Sequence, residues 1–381
     1  MQRENQSKLN KLIQELCPNG VEYRTLGEIA HYVSQRIDRS KIDNHTYVGV
    51  ENLLQNKGGK VDSLYVPDVK NFIYFKKNDV LIGNIRPYLK KIWLAEYDGG
   101  SSPDVLAIRL STPKLAPDFL FYCLSSDSFF AHDMQFAKGA KMPRGDKEAI
   151  MQFPIPVPPL PVQSEIVRIL DAFTALTAEL TAELTARRKQ YEYYRDRLLK
   201  FDDLTGGIRW VELSEVAKGI SSGKNKEKLE GGSFPVYGST GIIAYTETAV
   251  YDEPRILVAR VGANAGYVHI ADGMYDVSDN TLIIDLKMDK ALLRYVYHVL
   301  TNMNINQYAK GGGQPLITAS LLKDLPIPLP PLSEQRRIVS ILDRFDALCN
   351  DLTQGLPAEI AARRKQYEFY RDRLLDFQRK E

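Results

Sequence analysis

"ARRKQYEYYRDRLL" occupies residues 186–199 and "ARRKQYEFYRDRLL" residues 362–375, so the same stretch is written twice with one change, Tyr193 against Phe369. Working outward, "FPIPVPPLPVQSEIVRILDAFTAL" from Phe153 aligns with "LPIPLPPLSEQRRIVSILDRFDAL" from Leu325 at an offset of 172. Beyond Leu184 and Leu356 the offset becomes 176, so the second copy carries four extra residues near 357–360. Fainter matches lie upstream. "VEYRTLGEIA" (21–30) resembles "IRWVELSEVA" (208–217), "VLIGNIRPYLKKIWLA" (80–95) shadows "ILVARVGANAGYVHIA" (256–271), and "AKGAKMP" (137–143) parallels "AKGGGQP" (309–315). The chain is two related halves.

After each proline cluster, apolar residues recur in alternating steps of three and four, the spacing of a coiled-coil seam. The first series is Ile166, Leu170, Phe173, Thr177, Leu180, Leu184, Arg187, Tyr191, Tyr194, Leu198 and Phe201. The second is Ile338, Leu342, Phe345, Cys349, Leu352, Leu356, Ile360, Arg363, Tyr367, Tyr370, Leu374 and Phe377. Two consecutive steps of four around Leu356 make a stutter, and Gly355 with Pro357 predicts a kink there. The proline clusters "PIPVPPLP" and "PIPLPP" mark where a domain ends and a helix begins. Before each cluster, short apolar strands ("VLIGNI", "VLAIRL"; "ILVARV", "TLIIDL") accompany helical segments, so each half reads as α+β. The expected fold is two homologous α+β domains joined by two long antiparallel coiled-coil helices in a pseudo-twofold internal repeat. Its expected boundaries are 1–152, 153–201, 202–324 and 325–381.

Composition limits the function. With 381 residues, 44% of them apolar, the chain is long enough for several cores. The formal net charge is only +2, so no strongly basic domain announces a nucleic-acid binder. Residues 1–150 carry +3 and residues 202–324 carry −3. Cys17, Cys123 and Cys349 are too far apart to draw a disulfide framework or a zinc knuckle. No apolar run reaches the roughly 18 residues of a membrane span, and the N-terminal residues lack a signal-peptide core. A cytoplasmic location is expected. Phosphate loops (GxxxxGK[ST]) and HExxH pairs are missing from the sequence, as is an Asn/Asp-Pro-Pro-aromatic element. Five scattered histidines form no pair at helical spacing, so no metal site is expected.

Variable region, proline-led helix ending in "ARRKQYEYYRDRLL", variable region and a second such helix resemble the specificity subunit of a type I restriction-modification system. "LTAELTAEL" at residues 176–184 is similar to the tandem repeat in the central helix of one class of these subunits. The resemblance implies two target recognition domains, each reading half of an asymmetric, bipartite double-stranded DNA sequence across a fixed spacer. It implies a non-catalytic subunit that docks two modification (methyltransferase) subunits, joined in some complexes by two restriction/translocase subunits. S-adenosylmethionine, ATP and magnesium would then sit on the partners, with no cofactor in this chain.

Reading DNA takes bidentate donors, amide side chains and cations on surface loops. The candidates in the first domain are Arg36, Arg39 and Lys41 of "SQRIDRSK", Asn84, Arg86, Lys90 and Lys91 of "GNIRPYLKK", and Lys138, Lys141 and Arg144 of "AKGAKMPRGDK". In the second they are Ser239, Thr240, Arg260, Asn264, Lys310 and Gln314, with the lysines of "SGKNKEK" as a further loop. On the helices, Arg188, Glu192, Arg195 and Asp196 are mirrored by Arg364, Glu368, Arg371 and Asp372. A seam needs only apolar type, so repetition of these charged positions suggests two identical partners. The competing reading is a coiled-coil scaffold whose domains bind proteins or glycans. It explains the helices and the weak charge, but not two homologous domains with different basic loops.

The "TAEL" tetrad yields a first prediction. Four helical residues add about 6 Å and about 40° of residual rotation, against about 3.4 Å and about 34° for one base pair. Duplicating residues 181–184 is expected to lengthen the spacer by one or two base pairs and leave both half-sites unchanged. Methylated-motif sequencing reads this directly, and an unaltered spacer removes the helix from spacing control.

Overall fold

The computed structural model describes residues 2–201, 208–225, 231–311 and 314–380. They fold as two compact units, Met1–Glu179 with Ile360–Glu381, and Leu180–Glu359. The central helix runs Leu160–Leu199, so its proline-led beginning belongs to the first unit and its "ARRKQYEYYRDRLL" end to the second.

Each unit therefore assembles its helical part from both copies of the repeat. In the first unit Phe173 stacks on Tyr370, centroids 5.4 Å apart. In the second Phe345 stacks on Tyr194 at 5.6 Å. These are equivalent pairs, the phenylalanine of one copy against the tyrosine of the other. Within the second unit the two segments run antiparallel: Tyr191 and Tyr194 meet Phe345, while the lower-numbered Arg187 and Arg188 are felt by the higher-numbered Cys349. Of the predicted seam, Ile166, Leu170, Ile338 and Leu342 are fully buried, and Leu356 is buried. Phe173, Leu180, Leu184, Tyr191, Leu198, Phe345, Tyr367, Tyr370 and Leu374 are half-buried, and Tyr194 is exposed at its edge.

The second long helix is interrupted, which corrects the expectation of a merely kinked one. It consists of Leu332–Asn350 and Leu356–Leu375. Asp351 ends the first piece by accepting from the N–H groups of Thr353 and Gln354 at 2.7 and 3.1 Å, bonds that compete with the helical ladder. Gly355 fits the turn because a Cβ there would lie 2.6 Å from the Ala347 carbonyl oxygen. Leu352, assigned to the seam by spacing, consequently falls in the turn and is 80% exposed.

Both units share a sheet plan. In the first, the order is Ala30–Tyr32, Val105–Leu110, Val80–Gly83, Ile92–Leu94. In the second, it is Ala217–Ser222, Thr281–Leu286, Arg255–Ala259, Val268–Ala271. All pairings are antiparallel. Val80–Gly83 and most of Arg255–Ala259 are buried on both faces, hence their unbroken apolar runs. A second sheet in each unit contains one parallel pair, Tyr47–Val48 with Gly99–Ser101 and Phe234–Gly238 with Asp276–Val277.

The proline clusters close these domains. Pro154–Pro156 pairs with the first strand Tyr23–Thr25, and Pro326–Leu329 with Arg209–Glu212. A two-stranded ribbon leaves one edge unpaired, where proline's missing N–H costs nothing. Just beyond, Gln163 and Gln335 are fully buried. Gln163 Oε1 accepts from the Ala116 N–H at 2.8 Å, and its Nε2 donates to the Lys114 and Pro158 carbonyls. Gln335 makes the same set with Leu292, Lys290 and Pro330. Each glutamine joins the start of a long helix to the start of its domain's main helix, Pro117–Leu124 or Leu293–Asn302.

Replacing either glutamine leaves a backbone N–H and two carbonyls buried without a partner, a cost of about 2–4 kcal/mol. Gln163→Ala is expected to lose hydrogen-exchange protection at the Ala116 amide and destabilise the first unit alone. Gln335→Ala should do the same at Leu292 in the second. Exchange mass spectrometry with urea melts checks both.

Candidate nucleic-acid interface

Two of the predicted loops in each unit are laced together by backbone hydrogen bonds. In the first, Lys138 and Arg144 exchange N–H···O bonds of 2.9 Å, closing the "AKGAKMPRG" loop. The loop is pinned to the end of strand Val80–Gly83, with Arg86 N–H to Pro143 at 2.7 Å and Gly145 N–H to Asn84 at 3.2 Å. In the second unit Lys310 and Leu316 exchange the equivalent bonds at 3.1 and 2.9 Å. Gly262 N–H donates to Pro315 at 3.1 Å, and Ile317 N–H to Arg260 at 2.8 Å. The frame thus presents Arg86, Lys138, Lys141 and Arg144 on one unit, all exposed, and Arg260, Asn264, Lys310 and Gln314 on the other. Lys138 pairs with Asp146 at 2.5 Å and Arg144 with Asp104 at 3.2 Å. The Arg260 guanidinium reaches Ser222 Oγ and the Asp279 carbonyl at 3.5 Å each.

Other predicted residues sit elsewhere. Arg36 and Lys41 are exposed beside the second sheet of the first unit. Arg39 is turned to structural use, donating to the Pro67 and Ile42 carbonyls at 3.2 and 3.0 Å. Ser239 and Thr240 form the turn between Phe234–Gly238 and Gly241–Thr246, also in a second sheet. Asn84 and Lys91 are buried, because they flank the loop where it enters the core. The Lys91 ammonium donates to the Val50 carbonyl at 2.6 Å, which removes it from any phosphate. Of the "SGKNKEK" lysines, Lys226 and Lys228 lie outside the described residues.

The helix-face residues divide similarly. Arg188, Glu192, Asp196, Arg364, Glu368 and Asp372 are exposed. So are Tyr193 and Phe369, the one difference between the copies. Arg195 is half-buried, its guanidinium on Asp196 at 2.8 Å and over the Tyr191 ring. Its counterpart Arg371 corrects the docking expectation. That side chain is 0% exposed and donates to the Ser125 carbonyl at 3.2 Å and to Asp127 at 3.1 Å. At the offset that pairs Ala116 with Leu292, the counterpart of Asp127 is Met303, so the second unit has no carboxylate at that position.

Asp127 also accepts from Lys57 and Lys90, at 2.9 and 2.6 Å. Burial pushes its carboxyl up, but the bonds from Lys90 and Lys57, with the Lys57 and Arg371 charges, leave it well below the ordinary carboxylate range. Lys57 and Asp127 carried no sequence signal, since one sits in an "NKGG" turn and the other at a helix start. Gln163 and Gln335 did: they are identical at the 172 offset. In the second unit the region next to "RVGANAGY" is instead a cleft of about 280 Å³ lined by Asn264, Tyr267, Tyr297, Thr301, Asn304 and Asn306. No group of three or more metal-ligating side chains occurs among the described residues, and none of their helices is long and apolar enough to cross a membrane.

Two homologous units carrying laced loops on one sheet plan make this a duplicated protein, one frame used twice. A family model for the type I restriction modification DNA specificity domain matches residues 18–187 and again 208–362, and the chain belongs to that family. It is 40% identical over 261 residues to the EcoR124I/EcoR124II specificity subunit of Escherichia coli, covering 60% of this chain and 64% of that one. To a putative type I restriction enzyme specificity subunit of Haemophilus influenzae it is 37% identical over 290 residues, 69% and 73% of the two chains. It therefore spans a little under two thirds of the first relative's length. The S subunit of a type I restriction-modification system from M. genitalium has the same fold, with a TM-score of 0.66 at 16% identity over 93% of this chain and 96% of that one. A chain from a study of complex assembly in the type I R-M system gives 0.58 at 22%, over 94% and 98%.

Beneath the first unit's loop pair, Asp133 is buried with both carboxylate oxygens unpartnered, close to the equally unpartnered Asn84 Oδ1. Burial pushes its carboxyl up from 3.8 to about 6, slightly opposed by His132. A pKa higher in the folded than the unfolded state favours the folded form below the unfolded value, an advantage lost as pH rises through about 6. Urea unfolding from pH 4 to 8 is expected to show the first unit of wild type losing stability relative to Asp133→Asn across that window. Asp133→Asn should lack that component of the loss and be roughly 1–3 kcal/mol more stable than wild type at pH 8.

Proposed function

We propose that this chain is the non-catalytic, sequence-specific DNA-binding subunit of a type I restriction-modification complex. The observation that carries the reading is the duplication of one frame, two laced loops at the end of a buried strand, with different polar residues mounted on each copy. One frame used twice with different side chains suits a bipartite, asymmetric target, because base edges are distinguished by which donors and acceptors reach them. Arg86, Lys90, Lys138, Lys141 and Arg144 are the proposed contacts of the first recognition domain. Arg260, Asn264, Lys310 and Gln314 are those of the second, with Arg36, Lys41, Ser239 and Thr240 as additional contacts from the second sheets. The proposed domains are residues 1–152 and 202–324, and the proposed spacers are 153–201 and 325–381.

Double-stranded DNA is one partner. Two modification subunits are the others, one against the exposed Arg188, Glu192 and Asp196 and one against the exposed Arg364, Glu368 and Asp372, and restriction subunits join where the complex also cleaves. S-adenosylmethionine, ATP and magnesium belong to those subunits, and the complex is proposed to work in the cytoplasm. Nothing in either unit favours the scaffold reading, which gives no reason for pairing basic loops with amide-rich ones on a shared frame.

The test is an exchange of residues 21–150 for the equivalent region of another family member, co-expressed with the modification subunit. Methylated-motif sequencing is expected to show one half-site replaced and the other kept. A chimera that alters both or neither overturns the modular reading. Within the first domain, Arg86→Ala is expected to cost about 1–3 kcal/mol on the cognate sequence and relax one base position.

A further inference from the structure

Lys57, Lys90, Asp127 and Arg371 form a cluster that the repeat logic does not explain. Lys57 and Lys90 come from two loops joined by backbone bonds, Asn56 N–H to Leu89 and Lys57 N–H to Lys90 at 2.9 and 2.8 Å. Asn56, Lys57, Arg86 and Lys90 all have positive φ, between 50° and 63°. Left-handed backbone at non-glycine residues is costly, and it persists where surrounding structure over-determines it. Both ammonium groups point at one oxygen, Asp127 Oδ1, while Oδ2 takes Arg371. Arg371 is shared with Asp372 at 2.7 Å.

The electrostatics are unbalanced. Three cations meet two carboxylates, Asp127 and Asp372, and the lysines have only Asp127 between them. Desolvation lowers the Lys57 ammonium, and the Arg371 and Lys90 charges add to that lowering, so the cations repel one another around a single counter-ion. The cluster is nonetheless open on one side. Lys90 and Asp127 are 35% and 39% exposed, whereas Lys57 is 14% exposed. Lys90 follows the same loop that carries Arg86, one of the proposed base-reading residues.

We propose that Lys57 and Lys90 form a backbone-phosphate site of the first recognition domain, holding one phosphodiester of duplex DNA, with Asp127 as the internal counter-ion that keeps both ammonium groups in place until DNA arrives. The proposal rests on the DNA-reading function above. Arg371 is a positioning residue here. It occupies Oδ2 and so turns Oδ1 toward the lysines, and it ties this site to the C-terminal helix. Among the described residues the second unit has no such cluster, so this site belongs to the first recognition domain alone.

The experiment uses the chain co-expressed with its modification subunit and measures duplex affinity against salt for cognate and unrelated DNA, with a melting temperature for each variant. Lys57→Gln and Lys90→Gln are each expected to reduce the slope of log affinity on log salt by about 1, equally for both duplexes. Lys57→Arg and Lys90→Arg should retain the wild-type slope. Asp127→Asn, which keeps the shape but removes the competing charge, should tighten both duplexes roughly two- to fivefold. If the glutamine variants keep the wild-type slope, or arginine loses it as glutamine does, the cluster is a structural ion network and the site is overturned. Displacement of DNA by inorganic phosphate at constant ionic strength would make it a free-phosphate site and overturn the DNA assignment. A wild-type complex that binds no duplex at all removes the DNA-reading function itself, an outcome distinct from either.

Discussion

A buried carboxamide on each copy of the repeat holds this architecture together. Gln163 and Gln335 use their whole side-chain capacity, one acceptor and two donor bonds, on backbone groups at the point where domain, proline cluster and long helix converge. No other side chain of that size supplies an acceptor and two donors in a fixed plane. The bonds are made to main-chain atoms, so they are indifferent to what the domain carries on its loops. Around them the domain and helix are further sewn by residues that differ between copies. Tyr122 donates to Asp171 at 2.5 Å in the first unit, while in the second His298 and Arg294 meet the equivalent Asp343, each at 2.7 Å.

The opening duplication follows from how the units are composed. The first unit takes its proline-led segment from the first copy and its "YRDRLL" segment from the second, and the second unit does the reverse. Each "YRDRLL" stretch must therefore fit against the helix start of the other repeat. Near identity of the inward Tyr and Leu is then a packing requirement. Identity of the exposed Arg188/Arg364, Glu192/Glu368 and Asp196/Asp372 is not. Arg371 stands between these cases. Its sequence position reads as outward, like Arg195, but one aspartate in the first domain, Asp127, draws it fully inward.

Much of this was legible beforehand, and the reasons are specific. The two halves, the α+β class, the helix starts and the fully buried Ile166, Leu170, Ile338 and Leu342 all follow from repetition and periodicity, which report local geometry. Leu352 was misplaced because periodicity cannot see a chain break: Asp351 ends the helix by side-chain bonds that leave the apolar spacing intact. Asn84 and Lys91 were misjudged because loop composition says which residues are polar and is silent on which of them face the core. The carbonyl contacts of Arg39 were likewise not legible, since a guanidinium five bonds from the backbone reaches carbonyls that sequence does not place nearby. The Asp127 cluster was invisible, since Lys57, Lys90, Asp127 and Arg371 come from four separate segments.

What remains is why two segments built on a shared frame differ in charge, +3 for residues 1–150 and −3 for residues 202–324. The first unit holds its strand-end loop against the helix Asp127–Phe136 through ion pairs to Asp127, whereas the corresponding stretch of the second unit is a short helical turn, Ile305–Tyr308, beside a cleft lined by amides and tyrosines. Cations act at a distance and fall off with salt; amide and phenol groups act only in contact. A chain whose net charge is near neutral thus carries a more basic first segment, while its second is lined by groups that act through short-range hydrogen bonds. The laced loops make that division workable, since their backbone bonds are satisfied internally and leave every mounted side chain free to change without disturbing the frame.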